Sequence, residues 1–281
     1  MGKPVAHSRL DTDVAARGTS AQPPRRAVYA ARKVPEVTIF FWIIKLLTTG
    51  MGETTSDYLV FHINPYIAVA LGGVGLAVSL LLQLFVRRYV AWIYWLAVVM
   101  VAIFGTMAAD VVHIVLGVPY LDSSVFFGVA LAVIFVSWYA TEKTLSIHSI
   151  YTPRRELFYW AAIMVTFALG TAVGDMTATT LGLGYFASGL LFAALFALPA
   201  LGYWLFRLNA ILAFWFAYVM TRPLGASFAD WFGKPRSISG LGLGTGLISL
   251  ILAVVIISFV GYLTVTHVDV RDAAAEPRNR H

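Results

Sequence analysis

Long apolar segments, each about as long as a bilayer is thick, alternate with short polar connections along most of the chain. A segment that crosses the hydrocarbon core needs about 20 residues, and it must be helical because lipid offers its backbone no hydrogen-bond partners. We predict spanning helices at residues 36–57, 65–86, 89–116, 124–141, 156–180, 184–206, 208–231 and 240–264. The predicted fold class is therefore all-α, a polytopic membrane bundle of about eight transmembrane helices.

An internal repeat divides these helices into pairs. In every other helix a Trp is followed by a Gly ten residues later and by an Asp fifteen residues later. The columns are Trp42, Trp95, Trp160 and Trp215, then Gly52, Gly105, Gly170 and Gly225, then Asp57, Asp110, Asp175 and Asp230. Such self-similarity indicates tandem repeats, here at about 35–87, 88–142, 153–206 and 207–265. Each repeat contains an even number of spans, so the repeats are parallel, with pseudo-fourfold or nested twofold symmetry.

Each marked Trp directly follows another aromatic residue, in order Phe41, Tyr94, Tyr159 and Phe214. Aromatic pairs near the end of a spanning helix are typical of interfacial belts and packing anchors, and we favour these roles over stacking on a substrate. The aspartates, about 22 Å further along their helices at 1.5 Å per residue, are predicted at one depth near the opposite membrane surface.

Polar side chains accompany the aspartates inside the membrane, where ionisable groups are expensive and must face protein or water. In the first repeat a stripe with a four-residue step is formed by Lys45, Thr49, Glu53 and Asp57. The position of Glu53 is taken by Thr106, Thr171 and Ala226 in the later repeats. The first repeat is therefore specialised. Across the four repeats five acids face two bases, and crowded carboxylates would share protons, which suits a cation or a proton.

The fourth repeat is also specialised, because Arg222 and Pro223 lie inside its marked helix. Pro223 is expected to break the helical hydrogen-bond ladder, and a buried Arg222 needs a carboxylate partner. Lys45 and Arg222 are the candidate countercharges. His113 lies one turn after Asp110, so the pair could offer nitrogen and oxygen to a divalent metal ion, although a structural role is the commoner one for a lone His.

Two interpretations of the four aspartates stay open at this stage. They line a cation route, or they accept hydrogen bonds from neighbouring helices and cap the following loops, which would lock the repeats together.

Composition supports a membrane protein and narrows its chemistry. Hydrophobic residues make up 59% of the chain and charged residues 12%, and Cys is absent, so thiolate ligands are excluded. The net charge of +6 resides in tails and alternate loops, which indicates membrane topology and no nucleic-acid partner. Residues 1–34 are predicted to be a disordered cytoplasmic tail and residues 267–281 a second, polar cytoplasmic tail. Both termini are therefore predicted inside the cell.

Three stretches carry a resemblance to a known family: residues 33–38 with 48–57, residues 144–149, and residues 167–175. Over about 33–265 the chain resembles bacterial integral-membrane proteins built from four tandem two-helix repeats, each with a marked Trp, whose repeat has no known function. The resemblance implies an eight-helix protein of the bacterial inner membrane and the four Trp positions. It implies no activity, and the Arg222-Pro223 pair departs from perfect fourfold equivalence.

The leading functional hypothesis is a transporter of a cation, as a metal ion or in a proton-coupled exchange. Its ion- or proton-binding residues would be Asp57, Asp110, Asp175, Asp230 and Glu53, with accessory roles for Lys45, Thr49, Thr106, Thr171, Arg222 and His113. The alternative is a non-transporting scaffold or assembly protein whose intramembrane charges clamp helices together. No catalytic residues, enzyme activity or cofactor are predicted, and the expected partners are the lipid bilayer and a small cation or proton, with homo-oligomerisation left open.

Overall fold

The computed structural model of the protein describes residues 32–270. Residues 1–31 and 271–281, which hold most of the two predicted tails, lie outside the described residues. The long helices in chain order are α1 (Ile39–His62), α2 (Pro65–Phe85), α3 (Ala91–Asp110), α4 (Tyr120–Glu142), α5 (Pro153–Asp175), α6 (Gly184–Phe206), α7 (Ala210–Gly233) and α8 (Thr245–Thr266). Single π-helical turns, Val111–Val115 and Met176–Thr180, continue α3 and α5. The described part of the chain has no β-strand, and the predicted all-α class is confirmed.

Seven of these helices are long and apolar enough to cross a membrane. Helix α1 is equally long, with 24 residues, but its ionisable side chains lower its hydropathy. The interior of the bundle accepts them, because Lys45, Glu53 and Asp57 are all buried. The chain is therefore a multi-pass membrane protein in which α1 is shielded by its neighbours. It also runs further than predicted, because no Pro or Gly stops the helix between Asp57 and His62.

The helices form an inner ring and an outer layer. Each marked helix, α1, α3, α5 and α7, packs against the next, and α7 packs back on α1, which closes the ring. The outer helices lie mainly against the inner helix of the following repeat: α2 on α3, α4 on α5, α6 on α7, and α8 on α1. No repeat therefore buries its own apolar surface alone, as expected of tandem repeats. We call the two ends of the ring the Trp end and the Asp end after their marker residues.

Aromatic side chains close the ring at the Trp end in a cyclic order. The aromatic residue before each Trp packs on the Trp of the next repeat, with ring centroids 5.7–6.2 Å apart. The pairs are Phe41 with Trp95, Tyr94 with Trp160, Tyr159 with Trp215, and Phe214 with Trp42. Packing between repeats accounts for these markers, and the four inner helices run parallel because the same positions meet at every junction.

The glycine column provides a second cyclic contact, near the middle of the helices. A Cβ added to each Gly would lie 2.5–2.9 Å from the Cβ of the residue seven positions after the next repeat's Trp. The pairs are Gly52 with Ala102, Gly105 with Phe167, Gly170 with Arg222, and Gly225 with Thr49. Since real Cβ atoms do not approach so closely, only glycine permits this spacing of the helices.

Pro223 was predicted to break the helical hydrogen-bond ladder, yet α7 stays continuous from Ala210 to Gly233. Pro223 lacks the N–H that would bond to the carbonyl one turn earlier. Its ring packs against α5, where its Cδ and Cβ lie 3.0 and 3.6 Å from the positions of a Cβ on Gly170 and Gly174. These contacts with α5 therefore keep α7 helical across Pro223.

The segment 32–38 crosses the Trp end and ties distant helices together. Its backbone bonds to residues of three other regions, including Glu36 N–H to the carbonyl of Asp269 at 3.0 Å. The buried Lys33 ammonium donates to Glu156 at 2.5 Å, and the Gln83 amide donates to the other oxygen of Glu156 at 3.1 Å. Residues 32–34 and Asp269, which belong to the predicted tails, are therefore packed parts of the bundle.

Candidate functional site

The guanidinium of Arg222 lies on the axis of the ring, where it contacts the other three repeats. Its Nη2 donates to Glu53 Oε2 at 2.6 Å, to Thr106 Oγ1 at 2.6 Å and to Thr171 Oγ1 at 2.7 Å. These acceptors occupy equivalent positions, eleven residues after each Trp. The side chain of Arg222 is fully buried, with 0% exposure. The predicted carboxylate partner of this arginine is therefore Glu53, and the arginine fills the centre of the pseudo-fourfold arrangement.

The sequence of the fourth repeat makes room for this arrangement. The residue equivalent to Glu53 in α7 is Ala226, one helical turn after Arg222 on the same face. A longer side chain there would compete with the guanidinium for the axis. Across the junction Gly170 lets the stem of Arg222 pass, since a Cβ there would lie 2.6 Å from Arg222 Cβ. The departures of the fourth repeat from the others are thus requirements of a single central arginine.

Carboxylates converge on the Asp-end side of Arg222. Among residues 32–270, oxygens of Glu53, Asp175 and Asp230 lie within 4.8 Å of one another, close enough to share a metal ion. Asp57 and Asp110 lie within electrostatic range of this group. We call these five residues the acidic cluster. The four marker aspartates and Glu53 therefore meet at one end of the ring.

Lys234 is a cationic partner of the cluster that the sequence interpretation missed. Its Nζ lies 3.4 Å from Asp57 Oδ2 and 3.3 Å from Asp230 Oδ1. Burial opposes the charged form of Lys234, but Asp230 and Asp57 outweigh it and raise the pKa of the ammonium group well above its usual value. The predicted helix ends at residue 231, so the sequence predicts a loop position for Lys234. Its place one turn after Asp230 was the signal that could have identified it.

A glycine-rich return segment holds Lys234 against the bundle. After Pro235 the chain turns back, and the N–H groups of residues 241–244 bond to carbonyls of residues 231–234 at the end of α7. Gly242 and Gly244 have φ values of 77° and 91°, a backbone conformation that favours glycine. A Cβ on Gly240 would lie 2.5 Å from the carbonyl carbon of Lys234. The local sequence therefore fixes the lysine beside the carboxylates.

Lys45 does not take the predicted role of countercharge to the cluster. It lies two helical turns before Glu53 on α1, about 12 Å along the axis. Its Nζ lies 4.1 Å from the ring centroid of Phe167 and 4.3 Å from that of Tyr218. Among the described residues the Nζ has no hydrogen-bond partner. Lys45 therefore sits on the Trp-end side of Arg222, enclosed by aromatic rings.

The remaining predicted site residues lie outside the cluster. Thr49 Oγ1 donates to the carbonyls of Leu46 and Thr221, and so joins α1 to α7. His113 Nδ1 lies 3.2 Å from the carbonyl of Val118, and its ring is near Ser123. The π-helical turn after Asp110 carries His113, whose ring centroid lies 4.3 Å from that of Tyr120 on α4. The joint role of Asp110 and His113 as metal ligands stays a prediction, and His113 contacts residues of α4 in this structure.

The side chains of the acidic cluster differ in their exposure at the Asp end. Glu53 and Asp230 are each 2% exposed, whereas Asp110 and Asp175 are partly exposed at the Asp end. Asp57 Oδ2 and Asp230 Oδ1 have no hydrogen-bond partner in the described structure, although Lys234 lies at ion-pair distance. Five carboxylates thus face two cationic side chains, Arg222 and Lys234. Carboxylate oxygens alone favour hard cations such as Mg²⁺, Ca²⁺ and Mn²⁺.

The fold and the cluster together define a polytopic membrane protein with four parallel two-helix repeats and an axial acidic site. Four segments, residues 40–89, 93–144, 158–209 and 213–269, match the family described as Repeat of Unknown Function (DUF347). The matches cover most of the chain, and the protein belongs to this repeat family, as the resemblance predicted. No curated protein and no solved structure matches the chain.

Proposed function

We propose that the protein transports a cation through the acidic cluster. The observation that carries this proposal is the convergence of Glu53, Asp175 and Asp230 oxygens within 4.8 Å of one another on the axis of a membrane bundle. An ion with metal–oxygen distances of about 2.1–2.5 Å can bridge oxygens at this spacing. Carboxylates at membrane depth are expensive, so a functional role is the default expectation for such a set.

Side chains fill the axis of the ring, and this favours a transporter over a continuously open channel. On the Trp-end side of the cluster, Arg222 occupies the axis, and Lys45 and Tyr218 follow it toward the ring of tryptophans. A cation that enters from the Asp end cannot continue unless these side chains move. Coupling between occupancy and rearrangement is the property expected of a carrier that exposes its site alternately to the two sides.

We place the protein in the bacterial inner membrane with the Trp end and both termini in the cytoplasm. Basic residues in the loops and in the adjoining helix ends concentrate at the Trp end, namely Arg87, Arg88, Lys143, Arg154, Arg155 and Arg207. At the Asp end Lys234 is paired with carboxylates of the acidic cluster, which leaves Arg236 as the loop cation there. An excess of Lys and Arg marks the cytoplasmic side. The cluster then opens to the periplasm, and lipid is the surrounding partner.

The test is cation binding by the purified protein, followed by flux in liposomes. Thermal stability in detergent would be measured with Mn²⁺, Ca²⁺, Mg²⁺ and Na⁺ for the wild type and an Asp175→Asn/Asp230→Asn variant. A cation at about 100 times its Kd should stabilise the folded protein by about 2.7 kcal/mol, and the variant should lose this gain. Asp122→Asn is the matched control, because Asp122 is an exposed acid on α4. Stabilisation that persists in the double variant, or no response to any cation, would contradict the proposal.

The scaffold alternative rests on a different set of contacts. Lys33, Glu156 and Gln83 form a buried clamp between the 32–38 segment, α5 and α2 at the Trp end. In a scaffold the acidic cluster would be a further clamp of this kind, without a ligand. The Asp175→Asn/Asp230→Asn variant would then unfold at lower temperature with and without cations, and liposomes containing the wild type would show no flux.

A further inference from the structure

Lys45 is a buried ionisable group for which the cluster provides no partner. The side chain is 1% exposed and lies inside the ring of four parallel helices. Rings of Phe167 and Tyr218 enclose its Nζ at 4.1 and 4.3 Å, and the Nζ has no hydrogen-bond acceptor among the described residues. A lysine that served only to fill space could be replaced by an apolar residue of the same length. Packing alone therefore does not explain why an amine lies at this position.

Arg222 is the charged neighbour of Lys45 from another helix. The two side chains share the ring of Phe167, since Arg222 Cζ lies 5.5 Å from the same centroid. Nε and Nη1 of Arg222 have no hydrogen-bond partner in the described structure, and Lys45 acts electrostatically on this guanidinium. An arginine stays charged in proteins, whereas the amine of a lysine can hold or release a proton. Of the two axial cations, only Lys45 can therefore switch its charge.

We infer that Lys45 is the proton-binding site of a cation/proton exchange, which rests on the proposed transport function. A proton on Lys45 repels Arg222 toward the acidic cluster, where the guanidinium charge competes with a bound cation. When Lys45 releases its proton, the lone pair of its nitrogen can accept a hydrogen bond from the free N–H groups of Arg222, and the carboxylates become available. Proton and cation thus oppose each other's binding through one arginine, which is the coupling that antiport requires.

A series of tyrosines links Lys45 with the Trp end. Tyr218 contacts Lys45 and interacts electrostatically with Tyr159, whose hydroxyl lies 2.5 Å from that of Tyr94. The ring of Tyr94 packs on Tyr89. The hydroxyl of Tyr89 donates to the buried carboxylate of Asp269. Tyrosine hydroxyls therefore lie between Lys45 and the Trp end, and the hydroxyl of Tyr218 itself makes no hydrogen bond in the described structure.

The groups around Lys45 leave few other candidates for this titration. Helix α7 contributes Tyr218 and Arg222, α5 contributes Tyr159, and α3 contributes Tyr94. On α1 itself the nearest ionisable residue is Glu53. Helix α8 has Tyr262 as its ionisable side chain, and that ring packs against Phe40. Of these groups Lys45 is the amine, and removal of its side chain tests the inference directly.

The experiment counts protons released when purified full-length protein binds Mn²⁺. Titration calorimetry in two buffers of different ionisation enthalpy gives this number across pH for wild type, Lys45→Met and Lys45→Arg. In the wild type, Mn²⁺ affinity should rise with pH as carboxylates and Lys45 release protons. Both variants should release up to one proton fewer per Mn²⁺, which reduces the pH dependence of affinity by up to tenfold per pH unit. Lys45→Arg, which stays charged, should bind Mn²⁺ more weakly than Lys45→Met at every pH.

Lys143→Met is the control, because Lys143 is an exposed lysine at the end of α4; it should match the wild type in every measurement. Lys45→Met that binds Mn²⁺ with wild-type proton release would overturn the inference and leave cation transport standing. A wild type that binds none of Mn²⁺, Ca²⁺, Mg²⁺ and Na⁺ would overturn the transport proposal first and this coupling with it. If Lys45→Met does not fold, Lys45→Arg provides the same proton count. In liposomes a pH gradient should drive Mn²⁺ accumulation by the wild type, but not by a Lys45 variant that still exchanges Mn²⁺ downhill.

Discussion

Removing the central arginine should destabilise the protein severely, and removing its carboxylate partner as well should restore most of the loss. Arg222→Met takes away the cation that lies 2.6 Å from Glu53 Oε2, and both side chains are almost fully buried. Thr106 and Thr171 lose a donor but still bond through their hydroxyls to the carbonyls of Ala102 and Phe167. The main consequence is therefore a buried carboxylate without its charge partner.

The expected magnitude follows from that isolated charge. Breaking a buried ion pair by removing one partner costs about 3–5 kcal/mol, whereas replacing both partners with uncharged residues is often neutral. Arg222→Met should lie in this range, and Glu53→Gln should also be destabilising because it leaves the guanidinium without a carboxylate. The double variant Arg222→Met/Glu53→Gln should lie within about 1–2 kcal/mol of the wild type. The two single losses together then exceed the loss of the double variant by at least about 4 kcal/mol, which is the coupling energy between the two positions.

The assay is equilibrium unfolding in mixed micelles for the wild type, the two single variants and the double variant. Arg155 with Glu142 is the matched control pair: their ion-pair distance is 2.8 Å, but both side chains are 15% exposed. Its coupling energy should be about 1 kcal/mol or less. A double variant at the central pair that is no more stable than Arg222→Met alone would refute the reasoning, since it would mean that the buried charge is not what destabilises the single variant.

Three further predictions test other parts of the bundle. Gly52→Ala should cost about 1–3 kcal/mol, because its methyl group would lie 2.5 Å from Ala102 Cβ, whereas Gly128→Ala, which meets nothing within 4 Å, should gain about 0.5–1 kcal/mol in the same unfolding measurement. Lys234→Met should lower thermal stability without ligand, yet raise Mn²⁺ affinity at least about tenfold in calorimetry, because it removes the resident cation beside Asp57. Burial raises the pKa of Asp269 above its ordinary value near 3.9, so the folded state holds the proton more tightly and its stabilising effect is complete at low pH and lost as pH rises through the raised pKa. Asp269→Asn should remove that decline, which a comparison of melting temperatures from pH 4 to 7 would detect; parallel pH profiles of the two proteins would contradict it.

The repeat and the helical class were predictable because both appear in the sequence as regularly spaced residue types. The columns headed by Trp42 and closed by Asp57 specify equivalent helices, and equivalent helices in a membrane must satisfy the same packing constraints. The sequence also indicated that Arg222 requires a carboxylate. What it could not specify was which one, because five acids lie at similar depth. The choice of Glu53 depends on the cyclic order of the helices around the axis.

The errors have the same physical origin. Lys45 and Lys234 differ in what surrounds them, and a linear pattern does not describe surroundings. Lys45 belongs to the same stripe as Glu53, but the axis brings aromatic rings to it from α5 and α7. Lys234 belongs to a loop, but hydrogen bonds from the glycine-rich segment 241–244 to residues 231–234 hold it beside the carboxylates. Likewise Pro223 fits within a helix because two glycines of α5 accommodate its ring.

The closure of the ring also brings the first and last described residues of the chain close together. Because α8 packs on α1, the residues just before the first helix and just after the last one are neighbours, as the bond between Glu36 N–H and the carbonyl of Asp269 demonstrates. The order of the repeats around the ring follows the chain, but the closed ring gives none of the four junctions a special place as the start. A circular permutant that joins residue 270 to residue 32 through a short linker and opens the chain between α4 and α5 would keep every contact between repeats. The same property means that an ancestral pair or quartet of separate two-helix chains could have assembled around the same axis before fusion.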